Sequence, residues 1–181
     1  MEADVVVVNH HLFFADVMLR DEGMGELLPS CNAVIFDEAH QLPETASLFF
    51  GESISTAQLL ELARDTRSET VAAARDCLDL IEATRKLEKA ARDLRLAIPT
   101  ENARVGFAQL DDNKEFHEAV EALDAELDEF GGIVETQAER SEGLANCLRR
   151  TQEVQARLAR WRVPEGTDWV RWVQVFSQTL S

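Results

Sequence analysis

The stretch Asn32-Ala-Val-Ile-Phe-Asp-Glu-Ala-His40 decides the fold that we predict for this chain. Its apolar run, residues 34–36, is typical of a strand buried on both faces of a parallel sheet. Asp37 and Glu38 follow at once, at the carboxyl end of the strand, where open parallel sheets bind ligands. Because unpaired buried carboxylates are costly, two of them at this position indicate a functional site.

A second strand is predicted near the start of the chain, at residues 3–9, Ala-Asp-Val-Val-Val-Val-Asn. Its β-branched side chains favour a buried strand, and residues 10–20 then show a helical spacing of apolar positions. Strand, helix and strand would form one right-handed parallel unit. A central strand needs neighbours on both sides, so we expect the chain to be a fragment that lacks most of its sheet partners.

Beyond His40 the apolar period is helical. We predict a short helix at about 43–50, a short extended segment at 52–55, and a helix capped by Ser55 or Thr56. Helical spacing then continues from residue 66 until it stops before Pro99, and residues 99–110 form a loop. We expect the apolar positions of this helical period, Val71, Ala74, Leu78 and Ile81 among them, to lie in the core of a helical bundle.

A second long helix begins near residue 111 or 112 and carries a narrow stripe of apolar positions. Gly131-Gly132 is a kink or a break in it, and a third helix covers residues 141–161. Residues 164–166 form a turn. Residues 169–179 read as a strand that returns to the sheet and pairs with residues 52–55. The narrow apolar stripe of the second long helix consists of Phe116, Val120, Leu123, Leu127 and Phe130.

The fold class predicted from these elements is mostly α with a small α/β part: a partial parallel-sheet edge that carries an inserted helical bundle. The corresponding domains are residues 1–50, residues 51–168, which form the helical insertion, and residues 169–181, the returning strand.

The composition excludes several classes of protein. The 181 residues include 18 basic and 34 acidic side chains, which argues against a large DNA- or membrane-binding face. Only residues 67–105, with 8 basic and 7 acidic side chains, could offer a surface that tolerates phosphate. Cys31, Cys77 and Cys147 are far apart, so we expect them to be reduced and mostly buried. Without a leader or a long apolar run, we expect a cytoplasmic protein that does not contact membranes.

The residues of the opening stretch suit nucleotide chemistry. Asp37 can hold a Mg²⁺ bound to nucleoside triphosphate, Glu38 can orient and deprotonate the attacking water, and His40 can report the state of the γ-phosphate. The alternative is an acidic surface turn after a strand. A phosphate-binding loop requires Gly-Lys followed by Ser or Thr, but none of the three lysines follows a glycine. This chain alone therefore cannot complete a nucleotide site.

Asn9 and His10 follow the first predicted strand. They could contact a nucleic-acid backbone or relay to the site, or Asn9 could simply cap the helix. Joint metal binding by His10 and the adjacent His11 is geometrically poor, because neighbouring side chains point in different directions.

The basic residues of the 66–98 region, Arg85, Lys89 and Arg92 among them, form either a salt-bridged solvated face or a weak contact for single-stranded nucleic acid. Trp161, Trp169 and Trp172 pack where the bundle rejoins the sheet, or else stack on bases.

Two quoted stretches carry a family resemblance: residues 3–16, Ala-Asp-Val-Val-Val-Val-Asn-His-His-Leu-Phe-Phe-Ala-Asp, and residues 34–42, Val-Ile-Phe-Asp-Glu-Ala-His-Gln-Leu. Together they resemble the DinG/YoaA branch of the XPD-like superfamily 2 DNA helicases. Residues 51–181 resemble the branch in layout only, as a helical insertion followed by a tryptophan-rich strand.

The resemblance implies a part of an ATP-dependent 5′-to-3′ DNA helicase of repair or replication. Residues 1–50 would be the edge of the RecA-like first motor domain with its DEAH box, and the bundle would be the arch that frames single-stranded or forked DNA. Asp37 would bind Mg²⁺, Glu38 would activate water and His40 would be the coupling residue. Mg-ATP and a 4Fe–4S cluster would belong to the full-length enzyme, and the cluster has no ligands in this chain.

We therefore expect the isolated chain to be inactive. Two other functions stay open: a non-enzymatic acidic helical module that docks a protein partner, and a metal-dependent hydrolase that uses Asp37, Glu38 and His40.

Overall fold

The computed structural model of the chain describes residues 4–98, 103–163 and 170–176. The chain divides into two compact units, Met1–Ser53 and Ile54–Ser181. Taken together, the described residues are mostly helical, which confirms the predicted predominance of helix. The sheet found in the described ranges is a two-stranded antiparallel ribbon. No helix in those ranges is long and apolar enough to cross a membrane.

The first unit contains two helices, α1 (His10–Asp21) and α2 (Leu42–Phe50), with a single 3₁₀ turn at Ala39–Gln41 directly before α2. Aromatic rings hold this unit together: the Phe13 and Phe36 ring centroids lie 5.0 Å apart, and those of Phe14 and Phe50 lie 5.9 Å apart. The predicted helices at 10–20 and 43–50 are confirmed.

The two buried strands predicted for residues 3–9 and 32–36 are wrong for this structure. Where described, both segments are non-helical but form no ladder. The side chains of Val7 and Ile35 are 92% and 95% exposed. A strand is stabilised by hydrogen bonds to its neighbours, and residues 4–53 contain no neighbouring strand for either segment. The apolar pattern is thus present without the partners that would bury it.

The second unit is a four-helix bundle of α3 (Thr56–Ala73), α4 (Leu78–Leu96), α5 (Lys114–Gln137) and α6 (Glu142–Arg162). Side chains cap three of these helices: Ser55, Asn113 and Ser141 accept hydrogen bonds from the amides of Gln58, Phe116 and Leu144. Each of these three helices therefore begins where a short polar side chain accepts a hydrogen bond from one of its free amides.

Successive helices of the bundle run antiparallel. The Asn113 amide donates to the Ala97 carbonyl at 3.1 Å, which places the end of α4 beside the start of α5. Arg150 on α6 donates to Asp65 on α3 at 2.6 Å, and α6 thereby closes the ring of four helices. This arrangement is the up-down-up-down bundle that short connections favour.

The bundle interior confirms the predicted apolar stripes. All five positions of the α5 stripe are buried, and so are Leu144, Val154 and Leu158 on α6. Four threonines are also buried. Each donates its hydroxyl to a carbonyl one turn earlier in its own helix, so none carries an unpaired hydroxyl into the core. They are Thr66, Thr70, Thr84 and Thr151.

The unbroken helical period predicted from residue 66 to residue 98 is interrupted. Helix α3 ends at Ala73, residues 74–77 form a turn, and α4 starts at Leu78. Val71 and Leu78, which the period places in the core, are exposed. The turn lets α3 fold back against α4 and bury both apolar faces, and this tertiary gain outweighs the local period.

Strands β1 (Ala103–Gly106) and β2 (Trp172–Val175) form the ribbon, with Arg104 opposite Gln174 and Gly106 opposite Trp172. The loop predicted for residues 99–110 is therefore wrong at 103–106. The predicted pairing of the returning strand with residues 52–55 is also wrong, because β2 pairs with β1. The turn predicted at 164–166 and the residue Trp169 lie outside the described residues.

Two smaller expectations also change. Gly131-Gly132 does not break α5, which continues to Gln137. A Cβ on Gly131 would stand 2.9 Å from the Gln155 Nε2 atom, so this glycine leaves room for the Gln155 side chain. The cysteines are free, as expected, but they are not uniformly buried: Cys147 is buried, Cys77 is half-buried and Cys31 is exposed. Burial raises the pKa of the Cys147 thiol.

Candidate functional site

The residues of the acidic stretch form one compact local structure. Glu38 has a left-handed backbone, φ 49° and ψ 45°, which is uncommon for a residue with a side chain. Its amide donates to Asp37 Oδ1 at 2.9 Å, and its carbonyl accepts from the Gln41 amide at 2.9 Å. The chain thus turns sharply between the two carboxylates, and the second bond closes the 3₁₀ turn that follows.

The side chains of Glu38 and His40 are in contact at the surface. His40 Nδ1 lies 3.2 Å from Glu38 Oε2, and the two side chains are 71% and 61% exposed. Neither group is desolvated, so both can exchange this contact for a ligand at small cost. Both side chains are therefore exposed to solvent and held only by a local partner.

Helix α2 fixes the base of this turn. Pro43 stands in its first turn, where a missing amide hydrogen does no harm, and the Thr45 hydroxyl donates to the Gln41 carbonyl at 3.0 Å. Thr45 is buried. The acidic turn is therefore anchored at its carboxyl side.

The start of α1 lies near the acidic stretch. Asn9 caps α1 by accepting from the Leu12 amide at 2.8 Å, which confirms the capping interpretation of this residue. The His10 ring centroid lies 6.0 Å from that of Phe36, the residue that precedes Asp37. The structure thus brings His10 beside the end of the apolar run. His11 is turned to Phe49 instead, with ring centroids 6.1 Å apart.

Asp16 is a positioning residue that sequence reasoning did not single out. Its buried carboxylate accepts from the Leu27 and Leu28 amides at 2.6 Å and 2.9 Å, and from Arg20 Nε at 2.7 Å. The Leu28 amide bond contributes most to lowering the pKa of Asp16; burial partly opposes it, and the Leu27 and Arg20 bonds add to it.

Arg20 completes this tie by donating to the Leu28 carbonyl at 2.6 Å. The pair therefore holds the connection after α1 against the helix, ahead of the acidic stretch. An acid and an arginine four positions apart on one helix were the available sequence signal.

The basic side chains singled out on α4 belong to the second unit and are paired with acids. Arg85 lies 3.5 Å from Glu82, Lys89 lies 3.9 Å from Asp93, and Arg92 lies 3.2 Å from Glu88. All three basic side chains are exposed. Contacts of this kind contribute little to stability and are screened by salt. Both interpretations of these basic residues, a salt-bridged solvated face and a weak contact for nucleic acid, are therefore compatible with the structure.

The chemistry of the donors fits magnesium better than a transition metal. Asp37 and Glu38 offer hard carboxylate oxygens, and Mg²⁺ is commonly held through one or two carboxylates together with phosphates. Among the residues that the structure describes, no three His, Cys, Asp or Glu side chains come close enough to form a metal site of their own.

The chain is similar over nearly its whole length to curated proteins. It is 35% identical over 178 residues to a protein of Escherichia coli (strain K12) named ATP-dependent DNA helicase YoaA, covering 98% of this chain and 28% of that relative. A protein of the same name from Haemophilus influenzae (strain ATCC 51907 / DSM 11121 / KW20 / Rd) is 35% identical over 175 residues, covering 96% of this chain and 27% of the relative.

The chain thus spans just over a quarter of the length of these curated relatives. No family model matches it, and no solved structure matches it.

Proposed function

This chain is related over nearly its whole length to the DinG/YoaA branch of ATP-dependent DNA helicases, as its motifs predicted, and from this premise we propose that it forms part of such an enzyme. Residues 1–50 would supply the motif II edge of a motor domain, residues 51–168 an arch-like helical insertion, and residues 169–181 the return to the motor. The observation that carries the proposal is the exposed Asp37-Glu38-Ala-His40 turn within a match to two helicases.

In this proposal the acidic turn serves Mg-ATP. Asp37 would hold the magnesium through its carboxylate, and bound magnesium neutralises charge on the phosphates. Glu38 would orient and deprotonate the attacking water. His40, 3.2 Å from the Glu38 carboxylate, would report the state of the γ-phosphate to neighbouring elements by hydrogen bonding. The phosphate-binding loop and a 4Fe–4S cluster would come from other parts of a longer protein.

The motor edge would need further strands. The exposed Val7 and Ile35 side chains support this view, because each stands in a non-helical segment without a ladder partner. Paired with neighbouring strands, residues 4–9 and 31–36 would become the buried parallel strands of a RecA-like sheet, and Asp37 would then stand at its carboxyl edge.

The bundle would frame single-stranded or forked DNA. Arg85, Lys89 and Arg92 on α4 are exposed, so a phosphate can replace each carboxylate partner without burying a charge. Asn9 and His10 would lie near the DNA strand, at the edge of the motor domain. Changing the three α4 residues together to glutamine should weaken DNA binding by the complete protein and flatten its salt dependence; unchanged affinity and slope would remove α4 from the DNA path.

The test of the function uses the complete gene product that contains these residues. Glu38→Gln should lower DNA-stimulated ATP turnover by about 10²- to 10⁴-fold, the usual contribution of a general base. Glu44→Gln, which removes an exposed acid from α2 without touching the acidic turn, is the matched control and should stay at the wild-type rate. Equal turnover in the two variants would overturn the proposal.

The isolated chain gives a second comparison. It should show only background ATPase, since it lacks the Gly-Lys loop. Clear turnover by the isolated chain that Glu38→Gln abolishes would contradict the need for a phosphate-binding loop elsewhere.

A second candidate function is supported by the charge of α5. Lys114–Gln137 carries eight acids and a single lysine, so its exposed face would repel DNA and suit a basic protein partner. As an acidic docking module the chain would act without nucleotide. Reversing the charge of exposed α5 acids such as Glu118 and Glu121 should then abolish partner binding while ATP turnover by the complete protein is unchanged.

A further inference from the structure

The outward face of the β1–β2 ribbon combines an aromatic ring, a stacked cation and open space. Val175 is buried against the end of the bundle, so the alternate positions of β2, Trp172 and Gln174, belong to the other face. The register places Arg104 and Gly106 on that same face. Arg104 Cζ lies 3.8 Å from the Trp172 ring centroid. A Cβ on Gly106 would meet no atom of the described residues within 4 Å, so none of these residues covers the surface beside Trp172 at this point.

The ribbon is mounted firmly on the bundle. The Phe107 amide donates to the Arg171 carbonyl at 3.0 Å, and Arg171 Nη1 donates to the Trp161 carbonyl at 2.9 Å. The Phe107 ring packs edge-on against Trp161, with centroids 5.3 Å apart, and Trp161 packs in turn on the buried Phe116. The outward face therefore presents Trp172 and Arg104 on a fixed support, as a binding site requires.

The charge of the ribbon differs from that of the chain. Residues 103–107 and 170–176 contain two arginines and no acid, although the whole chain has a net charge of −16. In the described ranges no carboxylate lies within ion-pair distance of Arg104 or Arg171. Phe176, two residues beyond Gln174, adds a ring that is 69% exposed. Flat rings beside arginine on a rigid surface are the combination that binds unpaired bases and their phosphates.

We propose that the outward face of this ribbon, Arg104, Trp172, Gln174 and Phe176, is a stacking platform for single-stranded DNA. Bases extend the stack that Trp172 and Arg104 already form, the in-plane N–H donors of Arg104 bind a phosphate, and the Gln174 amide hydrogen-bonds a base edge. The choice of DNA as occupant rests on the proposed helicase function. The platform is separate from the α4 side chains, which are paired with acids.

The test measures binding of a fluorescein-labelled oligothymidylate of about 15 nucleotides to the 181-residue chain by fluorescence anisotropy, at several salt concentrations. Trp172→Leu removes the ring but keeps an apolar side chain and should weaken binding about tenfold or more. Trp172→Phe keeps a ring and should stay within about threefold of wild type. Arg104→Gln should weaken binding and reduce the salt slope by about one. Arg64→Gln removes an exposed charge from α3 and is the control. It should lower the affinity by no more than the loss of one remote charge does, and it should leave the difference in affinity between Trp172→Phe and Trp172→Leu unchanged.

The outcomes are distinct. Equal affinity of Trp172→Leu, Arg104→Gln and wild type would overturn the platform while leaving the helicase proposal to its ATPase test. Failure of the wild-type chain to bind the oligonucleotide, or preference for a proline-rich peptide over it, would also overturn the platform. If Trp172→Leu loses helical circular dichroism, the comparison of Arg104→Gln with Arg64→Gln still decides.

Discussion

Phe130 offers the sharpest test of the bundle as a self-sufficient unit. Its side chain is fully buried in the core cluster that also contains Leu87, Leu127 and Val154. Residues from three helices meet there. Truncation therefore leaves a cavity that closes only if the helices move toward one another. Phe→Ala changes in such positions cost about 3–5 kcal/mol, from lost transfer free energy and the cavity together. We expect Phe130→Ala to lower the free energy of unfolding by that amount.

The assay is urea unfolding followed by circular dichroism. With a slope of about 2 kcal/mol per molar urea, the expected loss moves the midpoint down by about 2 M. Leu78→Ala is the matched control, because this large apolar side chain at the start of α4 is 71% exposed and should cost less than about 0.5 kcal/mol. Phe130→Leu gives an intermediate point if the alanine variant is unfolded without urea. A midpoint for Phe130→Ala equal to that of Leu78→Ala would refute the packing described for this core.

Two further predictions concern the Asp16 carboxylate and the two glycines of α5. The pKa of Asp16 is lowered in the folded state, so its contribution to stability is present above its ordinary pKa of 3.8 and is lost as pH falls through the folded value. The urea midpoint of wild type should therefore fall below about pH 4 more steeply than that of Asp16→Asn, and parallel curves would contradict this. In α5, Gly132→Ala enters open space and should stabilise the chain by about 0.5–1 kcal/mol. Gly131→Ala should gain less, because its methyl group displaces Gln155; equal gains in thermal unfolding would show that this contact has no energetic weight.

The parts of the fold that sequence predicted are those with local causes. Apolar residues at helical spacing identified α5 and α6, and Ser55 marked the start of α3 through a hydroxyl cap that the structure contains. An acidic surface turn at this place was one of the alternatives that the sequence left open, since the residue types and their order are visible in the sequence itself. Each of these features depends on neighbours within about one or two turns of the chain.

The parts that sequence did not predict depend on distant residues. The period through Val71 and Leu78 is as regular as any other, and only the packing of α3 on α4 shows that it must break. Strand β1 has four residues, too few for an alternating pattern, and it exists because Trp172–Val175 pairs with it across a long separation in the chain. Asp16 looked like a surface acid on α1, and its role comes from amides that follow it by 11 and 12 positions.

The two units differ in how completely they bury their apolar side chains, and this difference bears on the rigidity of the candidate site. The bundle buries apolar side chains from all four of its helices and needs no further cover for them. The first unit leaves Val5, Val7 and Ile35 mostly in solvent, so its own core cannot hold the segment that leads into Asp37. A carboxylate that serves catalysis must be fixed to a fraction of an ångström, and the acidic turn is anchored only on its α2 side. In the proposed function, the candidate site would therefore gain its rigidity from further strands that cover Val7 and Ile35. We accordingly expect amides of residues 4–9 and 31–37 to exchange rapidly in the isolated chain and slowly in the complete protein, whereas amides of the bundle core exchange slowly in both. Slow exchange of the acidic stretch in the isolated chain would show that it needs no such neighbours.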